Sequence, residues 1–456
     1  MNLSLSLQQR RKQLAESFRH PAILWSGKAL SRNFPANHYS FRANSHFLYF
    51  AGLQLENTAI YLHDGRLELF MDNPPPDDAL WHGEMATRAE IAETIGADAA
   101  YPLKELANKT VDVANIATIP VQDRMTHQQQ CQFLQRDLPD ASALQEIDLA
   151  LAKAIVNIRL CHDEYALQEL KKAARVTVKA HKEGIKATRW ATTESEIRSA
   201  MEAIIIAHNM THAYNSIVTT RGEVLHNEHY HNQLQPGDLI LADVGAETAS
   251  GWAADVTRTW AVSGKFSSTQ RDIYDIVLEA HDVCIAKMHP GIEYREIHLL
   301  AATVIAEGLV NLGILKGNPA SLVERDVHAL FFPHGIGHLL GLDVHDMEDL
   351  GDIAGYETGR NRSDRFGLKY LRLDRKLRSG MLVTIEPGFY QVPGILNNSR
   401  LRQKYRGTVD WERLTLFSDV RGIRIEDDVS ISDDGIEVLT SELPNKVSAL
   451  EALAVV

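Results

Sequence analysis

The chain has 456 residues, 45% of them hydrophobic, and a formal net charge of -13. That length has room for two or three domains around a core that needs no covalent staples, and the acidic balance argues against a nucleic-acid partner, which would require a basic surplus to neutralise phosphates. Cys131, Cys161 and Cys284 are odd in number and lack the CxxC spacing of zinc or redox sites, so they are expected to be buried, reduced thiols of a cytoplasmic protein.

In chain order, the N-terminal stretch places Gln8, Gln9, Arg10, Arg11 and Lys12 where a signal peptide needs apolar residues. No run approaches membrane-span length, and no membrane partner is expected. The near-alternating runs Ala59–His63 and Leu67–Met71 predict two strands around a turn at His63-Asp-Gly-Arg66. Asn73-Pro-Pro-Pro-Asp-Asp78 should break any regular element, and a helical connector near Asp148–Ile158 marks a boundary. From Asp163, Leu167, Leu170, Ala174 and Val178 recur at helical spacing, and Thr193 with Glu196 forms a capping-box signature for the next helix. A second helical pair begins near Gln270, stops at His289-Pro-Gly291 and resumes over Ile297–Val310. Strands are expected at Leu239–Val244, Met381–Glu386 and Val420–Glu426, and a charged, glycine-rich surface loop near the site over residues 349–378. Helix pairs alternating with antiparallel-looking strands make an α+β pattern, with a smaller mixed domain over residues 1–155 and a larger one over 156–456.

Five residues that favour hard divalent cations lie along the second half: Asp243, Asp255, His338, Glu386 and Glu426. Asp243 ends an apolar strand and Asp255 lies on what should be the returning strand, so a hairpin can present both carboxylates on one face. His338 sits in His334-Gly-Ile-Gly-His-Leu-Leu-Gly-Leu-Asp-Val-His-Asp346, where glycines permit close backbone approach and His334, His338 and His345 crowd together. Glu386 is held at a strand tip by Pro387-Gly388, and Glu426 follows Arg424. Any one of these acids alone would be read as a solvated strand end. Two unit charges 4 Å apart repel by about 4 kcal/mol at an effective dielectric of 20, so a cluster of four argues for cations, and the chain reads as a two-metal hydrolase.

At these residues the chain resembles the proline-specific pita-bread metallopeptidases, aminopeptidase P and prolidase, which are relatives of methionine aminopeptidase. The matching blocks are Asp243-Val-Gly, Gly251-Trp-Ala-Ala-Asp255-Val-Thr-Arg-Thr, His334 to Asp346, Thr384-Ile-Glu386-Pro-Gly and Gly422-Ile-Arg-Ile-Glu426-Asp-Asp, spread over roughly residues 160–440. Weaker likeness, in Ser40 to Gly52 and Ala79-Leu-Trp-His-Gly83, resembles the N-terminal domain of aminopeptidase P. The resemblance implies a C-terminal pita-bread catalytic domain preceded by a smaller α/β domain, and a homo-oligomer, dimer or tetramer. It also implies two divalent ions, Mn²⁺ first and Co²⁺, Zn²⁺ or Fe²⁺ as alternatives.

By the same resemblance, Asp243 binds one ion, His338 and Glu386 the other, and Asp255 and Glu426 both; Glu386 also receives a proton from water. His226 matches a histidine that assists near the scissile bond, His334 and His345 match residues around the substrate's proline and carbonyl oxygen, and Arg424 matches an arginine beside the shared glutamate. His229 and His231 match nothing and are read as loop histidines. The implied reaction cleaves the bond between an N-terminal residue and a following proline, a tertiary amide without an N–H. Aminopeptidase P activity on longer peptides is favoured by the N-terminal blocks; prolidase activity on dipeptides is the alternative, suggested by the long segment between Glu386 and Glu426. A non-catalytic binding protein on the same fold is a third reading, disfavoured because all five ligand positions are filled. One departure stands out: Asp243 and Asp255 are one position further apart than the family's usual separation, and the extra residue must fall within Ala246–Ser250. A longer turn or a bulge is expected to absorb it, since a slip of one would turn Asp255 to the wrong face.

Overall fold

A computed structural model describes the backbone of residues 2–455, and the side chains of these apart from 110–112 and 455. The chain forms two compact units: Met1–Glu169 with Ala249–Gly251 and Met347–Ala354, and Leu170–Thr248 with Trp252–Asp346 and Gly355–Val456.

The first unit is built on a four-stranded sheet of β1 (Ala22–Trp25), β2 (Ala59–His63), β3 (Arg66–Phe70) and β4 (Ala99–Tyr101) in that order. β4 runs parallel to β3, and the other pairs are antiparallel. The predicted hairpin forms with His63 opposite Arg66. Asp64 and Gly65 both take positive φ, 51° and 76°, as a two-residue turn matching strand twist requires. Helices α1 (Leu3–Ser17), α2 (Ser45–Ala51), α3 (Ala79–His82), α4 (Arg88–Ile95), α5 (Arg124–Leu134) and α6 (Glu146–Arg159) accompany the sheet, the last being the expected connector. Ile23, Trp25, Phe70, Leu106 and Leu134 share one buried cluster. The proline run does not leave the chain irregular throughout: Pro76–Asp78 forms a 3-10 turn leading into α3, because proline's fixed φ suits a helix start.

α7 (Glu164–Ala187) begins among the residues of the first unit, after Asp163, whose carboxylate accepts the Ala166 amide at 2.8 Å, and from Leu170 onward it belongs to the second unit. α8 (Glu194–Ala207) follows, with the Glu196 carboxylate accepting the Thr193 amide at 3.1 Å as the capping-box signature predicted. The strands are β5 (Thr211–His212), β6 (Ile217–Thr219), β7 (Leu239–Asp243), β8 (Ala246–Glu247) and β9 (Thr257–Ala261). The helical pair α9 (Ser268–Lys287) and α10 (Tyr294–Asn311) buries Ile273, Val277 and Cys284 on the first and Ile297, Ala301 and Ile305 on the second. β10 (Leu382–Ile385), β11 (Gly388–Tyr390), β12 (Gly422–Arg424), β13 (Asp427–Ser432) and β14 (Gly435–Val438) follow as further strands, and short helices accompany them.

Three expectations need correction. The run Val420–Glu426 is strand only over Gly422–Arg424. β12 pairs with β11 and β13 with β10, and the ladder is interrupted at Pro387, which has no N–H to donate. Segment 349–378 is not simply a surface loop: Leu368, Leu371, Leu373 and Leu377 are buried, and fully buried Asp374 is paired with Arg295 and Arg360, which removes the charge that made the segment look solvated. Of the cysteines only Cys284 is buried. Cys131 and Cys161 are half-buried, and none of the three is in a disulfide.

Candidate metal centre

Strand pairing alone brings the five residues together. β7 pairs antiparallel with β9, with Asp243 opposite Thr257, and the same register continues through Ala246 with Ala254, Glu247 with Ala253 and Thr248 with Trp252. The unchanged register means that no bulge is needed. The extra residue sits in a three-residue turn, Ala249–Gly251, with Gly251 at φ 91°. Asp255 lies two positions from Thr257 and therefore on the same face as Asp243.

The second carboxylate pair arises at the interruption in the other ladder. Ile385 is opposite Asp427 and Gly388 is opposite Arg424, which places Glu386 and Glu426 across from one another in the gap. The Glu426 amide donates to Thr257 O at 3.0 Å and ties this pair to the aspartate hairpin. The segment carrying His338 runs antiparallel to β10, with Thr384 N donating to His338 O at 3.0 Å and Glu386 N to Ile336 O at 2.7 Å. A Cβ on Gly337 would stand 2.2 Å from Thr384 O, so only glycine permits this approach.

His338 Nε2 lies 3.3 Å from Asp255 Oδ2, 3.9 Å from Glu386 Oε1 and 4.0 Å from Glu426 Oε1. Ligand atoms of Asp255, His338 and Glu426 all fall within 4.8 Å of one another. His338 Nδ1 points at Leu339 O at 3.0 Å, which assigns Nδ1 a proton and turns Nε2 toward the carboxylates. Arg424 Nη2 donates to Asp243 Oδ2 at 2.6 Å, and Thr257 Oγ1 donates to Glu426 Oε2 at 2.7 Å.

All nine residues singled out from the sequence line one cavity of this unit: the five above with His226, His334, His345 and Arg424. Arg424 also donates to Tyr390 OH at 3.0 Å, leaving that hydroxyl to donate to His334 Nε2 at 2.8 Å while His334 Nδ1 donates to Gly335 O at 2.7 Å. Burial and the nearby Arg424 push the His334 imidazole down to about 3, so it is neutral at ordinary pH. The His345 ring stacks edge-on against His338 at 4.3 Å between centroids. His226 is exposed, and its pKa is lowered by partial burial and then by Arg424 and Arg372. His229 and His231 stand 6.0 Å apart in the same loop, outside the cavity lining.

The residue set fits divalent cations. Burial lifts Asp243 to about 6 and Glu386 to about 7, and lifts Glu426 as well, with repulsion among the carboxylates adding to each shift. Burial and mutual repulsion thus oppose the charges of these carboxylates, a cation between them would relieve that opposition, and oxygen donors with one imidazole are a hard-cation set. Four further residues belong to the site and were not singled out from the sequence. Thr257 lies two positions after Asp255 and Tyr390 four after Glu386, both inside the matching blocks or just beyond them. Tyr214, which hydrogen-bonds both aspartates, and Arg372, which lines the cavity, carried no sequence signal.

This fold and donor set define a metallopeptidase, and the chain belongs to metallopeptidase family M24, which it matches over residues 168–433; residues 7–118 match the aminopeptidase P N-terminal domain. It is 31% identical to a probable Xaa-Pro aminopeptidase of Talaromyces stipitatus over 91% of this chain and 88% of that one. It is 29% identical to the Xaa-Pro dipeptidase of Homo sapiens over 97% and 92%. Among solved structures, the low-pH form of Escherichia coli aminopeptidase P superposes with a TM-score of 0.80 at 27% identity, covering 100% of this chain and 99% of the other. Pseudomonas aeruginosa aminopeptidase PepP gives 0.78 at 27%, covering 99% and 98%.

Proposed function

We propose that this chain is an Xaa-Pro aminopeptidase, hydrolysing the bond between an N-terminal residue and a following proline in peptides. The observation that carries the reading is the convergence of four carboxylates and one imidazole on a single cavity, in a chain whose relatives bear Xaa-Pro names along nearly its whole length. Asp243 would hold one divalent ion, His338 and Glu386 the other, and Asp255 and Glu426 both, with Mn²⁺ preferred and Co²⁺, Zn²⁺ or Fe²⁺ as alternatives. Bound there, the ions would supply Lewis acidity and bring the pKa of water toward neutrality. Glu386 accepts the water's proton on its carboxylate. His226 at the cavity rim assists at the scissile bond, and His334 and His345 serve the proline side and the charge that develops on the carbonyl oxygen. Arg424 holds Asp243 in place while bonding to Tyr390.

A second reading, Xaa-Pro dipeptidase, is favoured by Arg372, a guanidinium at the cavity that can pair with the free carboxylate of a dipeptide. The deciding assay compares an Xaa-Pro dipeptide with an Xaa-Pro-Yaa tripeptide on stripped enzyme reconstituted with Mn²⁺, Co²⁺ or Zn²⁺. Faster tripeptide cleavage supports the aminopeptidase, dipeptide cleavage alone supports the second reading, and no metal-dependent cleavage of either overturns both. A cytoplasmic location accords with three cysteines outside any disulfide, and among the described residues no helix is long and apolar enough to cross a membrane. A homo-oligomer, dimer or tetramer, and a domain division near residue 155 complete the proposal. Light scattering and limited proteolysis test these two points.

A further inference from the structure

We infer that Glu194 is a positioning residue for His226, acting through the loop between Thr219 and Asn232; the inference rests on the role proposed above for His226. Glu194 opens α8 and is fully buried. A buried carboxylate persists only where donors replace its water, and every partner of this one comes from the two ends of that loop. At the leading end the Thr220 amide donates to Oε1 at 2.7 Å, with the hydroxyls of Thr219 and Thr220 each at 3.1 Å. At the returning end the Asn232 amide donates to Oε2 at 3.2 Å, and its side-chain nitrogen lies 3.0 and 2.9 Å from the two oxygens. The Glu194 amide in turn donates to Asn232 O at 3.2 Å.

The link from this clamp to His226 is short. Thr219 Oγ1, which donates to Glu194, accepts from Asn227 Nδ2 at 2.7 Å, and Asn227 is the next residue after His226. The loop is also fixed against β12, the strand that carries Arg424. A Cβ on Gly222 would stand 2.7 Å from Gly422 O, so the two backbones touch, and Glu223 pairs with Arg421 Nε at 2.8 Å. Those contacts set the start of the loop, whereas Glu194 bonds to both of its ends. Glutamine cannot take its place, because an amide nitrogen would face the Asn232 or threonine donors where an acceptor is needed.

The test uses full-length, metal-loaded enzyme and an Xaa-Pro-Yaa peptide. E194Q should lower kcat by roughly 10- to 100-fold with KM little changed, as expected for a misplaced group that acts in the transition state. The double variant E194Q/H226A should be no slower than H226A, because both changes disable the same group. Hydrogen exchange supplies a readout independent of turnover: the Thr220 and Asn232 amides should lose protection in E194Q while α9 keeps its own. Asn227→Ala cuts the link without touching α8, and should show the same non-additivity with H226A if E194Q does not fold. Wild-type kcat in E194Q, or losses that multiply in the double variant, would overturn the inference. Unchanged exchange at the two amides overturns the clamp alone, whereas wild-type kcat in H226A overturns the role of His226 and this inference with it.

Discussion

The Tyr214 hydroxyl lies 2.5 Å from Asp243 Oδ1 and 2.6 Å from Asp255 Oδ1, with one proton to serve two carboxylates. The phenol is the donor to both, its single proton shared between the two carboxylates. Burial and the adjacent acids raise the phenol well above its ordinary value, which keeps it a donor. Tyr214 thus holds the two aspartates at a fixed separation.

Tyr214→Phe should therefore weaken divalent-ion binding by about 10- to 100-fold, the usual cost of removing a group that orients a ligand. Calorimetric titration of stripped protein with Mn²⁺ measures it. Unchanged affinity would mean that strand pairing alone holds the aspartates.

Glu386→Gln should leave the fold intact, because the side chain lies in a gap between ladders and its backbone bonds are kept. Turnover should fall by about 10²- to 10⁴-fold if this carboxylate accepts the proton of the attacking water. Retention of most activity in a variant that still binds ions would assign the proton transfer elsewhere.

Acid sensitivity is expected from two imidazoles away from the metal ligands. Burial, opposed by a hydrogen bond to Gly367 O, pushes His298 down to about 4; burial and then His298 itself push His328 down to about 3, both from an ordinary 6.5. Above that ordinary value neither state of the protein protonates them, and stability is complete. Below it the unfolded chain takes up protons that the folded chain refuses, so stability is lost as pH falls from about 6.5 toward 4 and 3, by up to about 1.4 kcal/mol per pH unit for each ring. Urea midpoints at pH 7.5 and 5 test this, and His328→Leu should flatten the slope. An equally steep slope in the variant would assign the sensitivity to other groups.

Arg258 should be a stability determinant. Fully buried, it binds Asp427 at 2.8 Å and donates to Glu426 O at 2.7 Å, Thr257 O at 2.9 Å and Pro444 O at 3.0 Å. Arg258→Met leaves Asp427 charged and unpaired by its main partner, which should cost about 3–5 kcal/mol in denaturant unfolding. Arg258→Lys should not restore it, since one ammonium cannot reach partners spread around a planar fork. A loss below about 1 kcal/mol would contradict this.

Much of the site was legible because its residues lie in short local frames. An acid at the end of an apolar strand, a glutamate before Pro-Gly and a histidine among glycines each show in a few adjacent letters, whereas His226 and Arg424 were marked only by the family resemblance; all nine residues line one cavity. What stayed hidden depends on pairing between distant segments. Tyr214 stands on a stretch without periodic pattern, and its value comes from a hairpin far along the chain. Arg372 lies in a charged stretch whose burial depends on Arg295 and Arg360 neutralising Asp374. The early end of the strand at Arg424 could not be seen either, because Pro387, which comes opposite Ile425, lies on a distant segment between β10 and β11. For the separation of Asp243 and Asp255 the sequence left a longer turn or a bulge open, and the unshifted register of the structure selects the turn.

Tyr390 and Gly422 face each other where the chain leaves the catalytic layer and where it returns. The excursion between them begins and ends at one doorway, so its length is decoupled from the spacing of the two glutamates. Insertions or trimming there can reshape what the enzyme accepts while its chemistry stays in register.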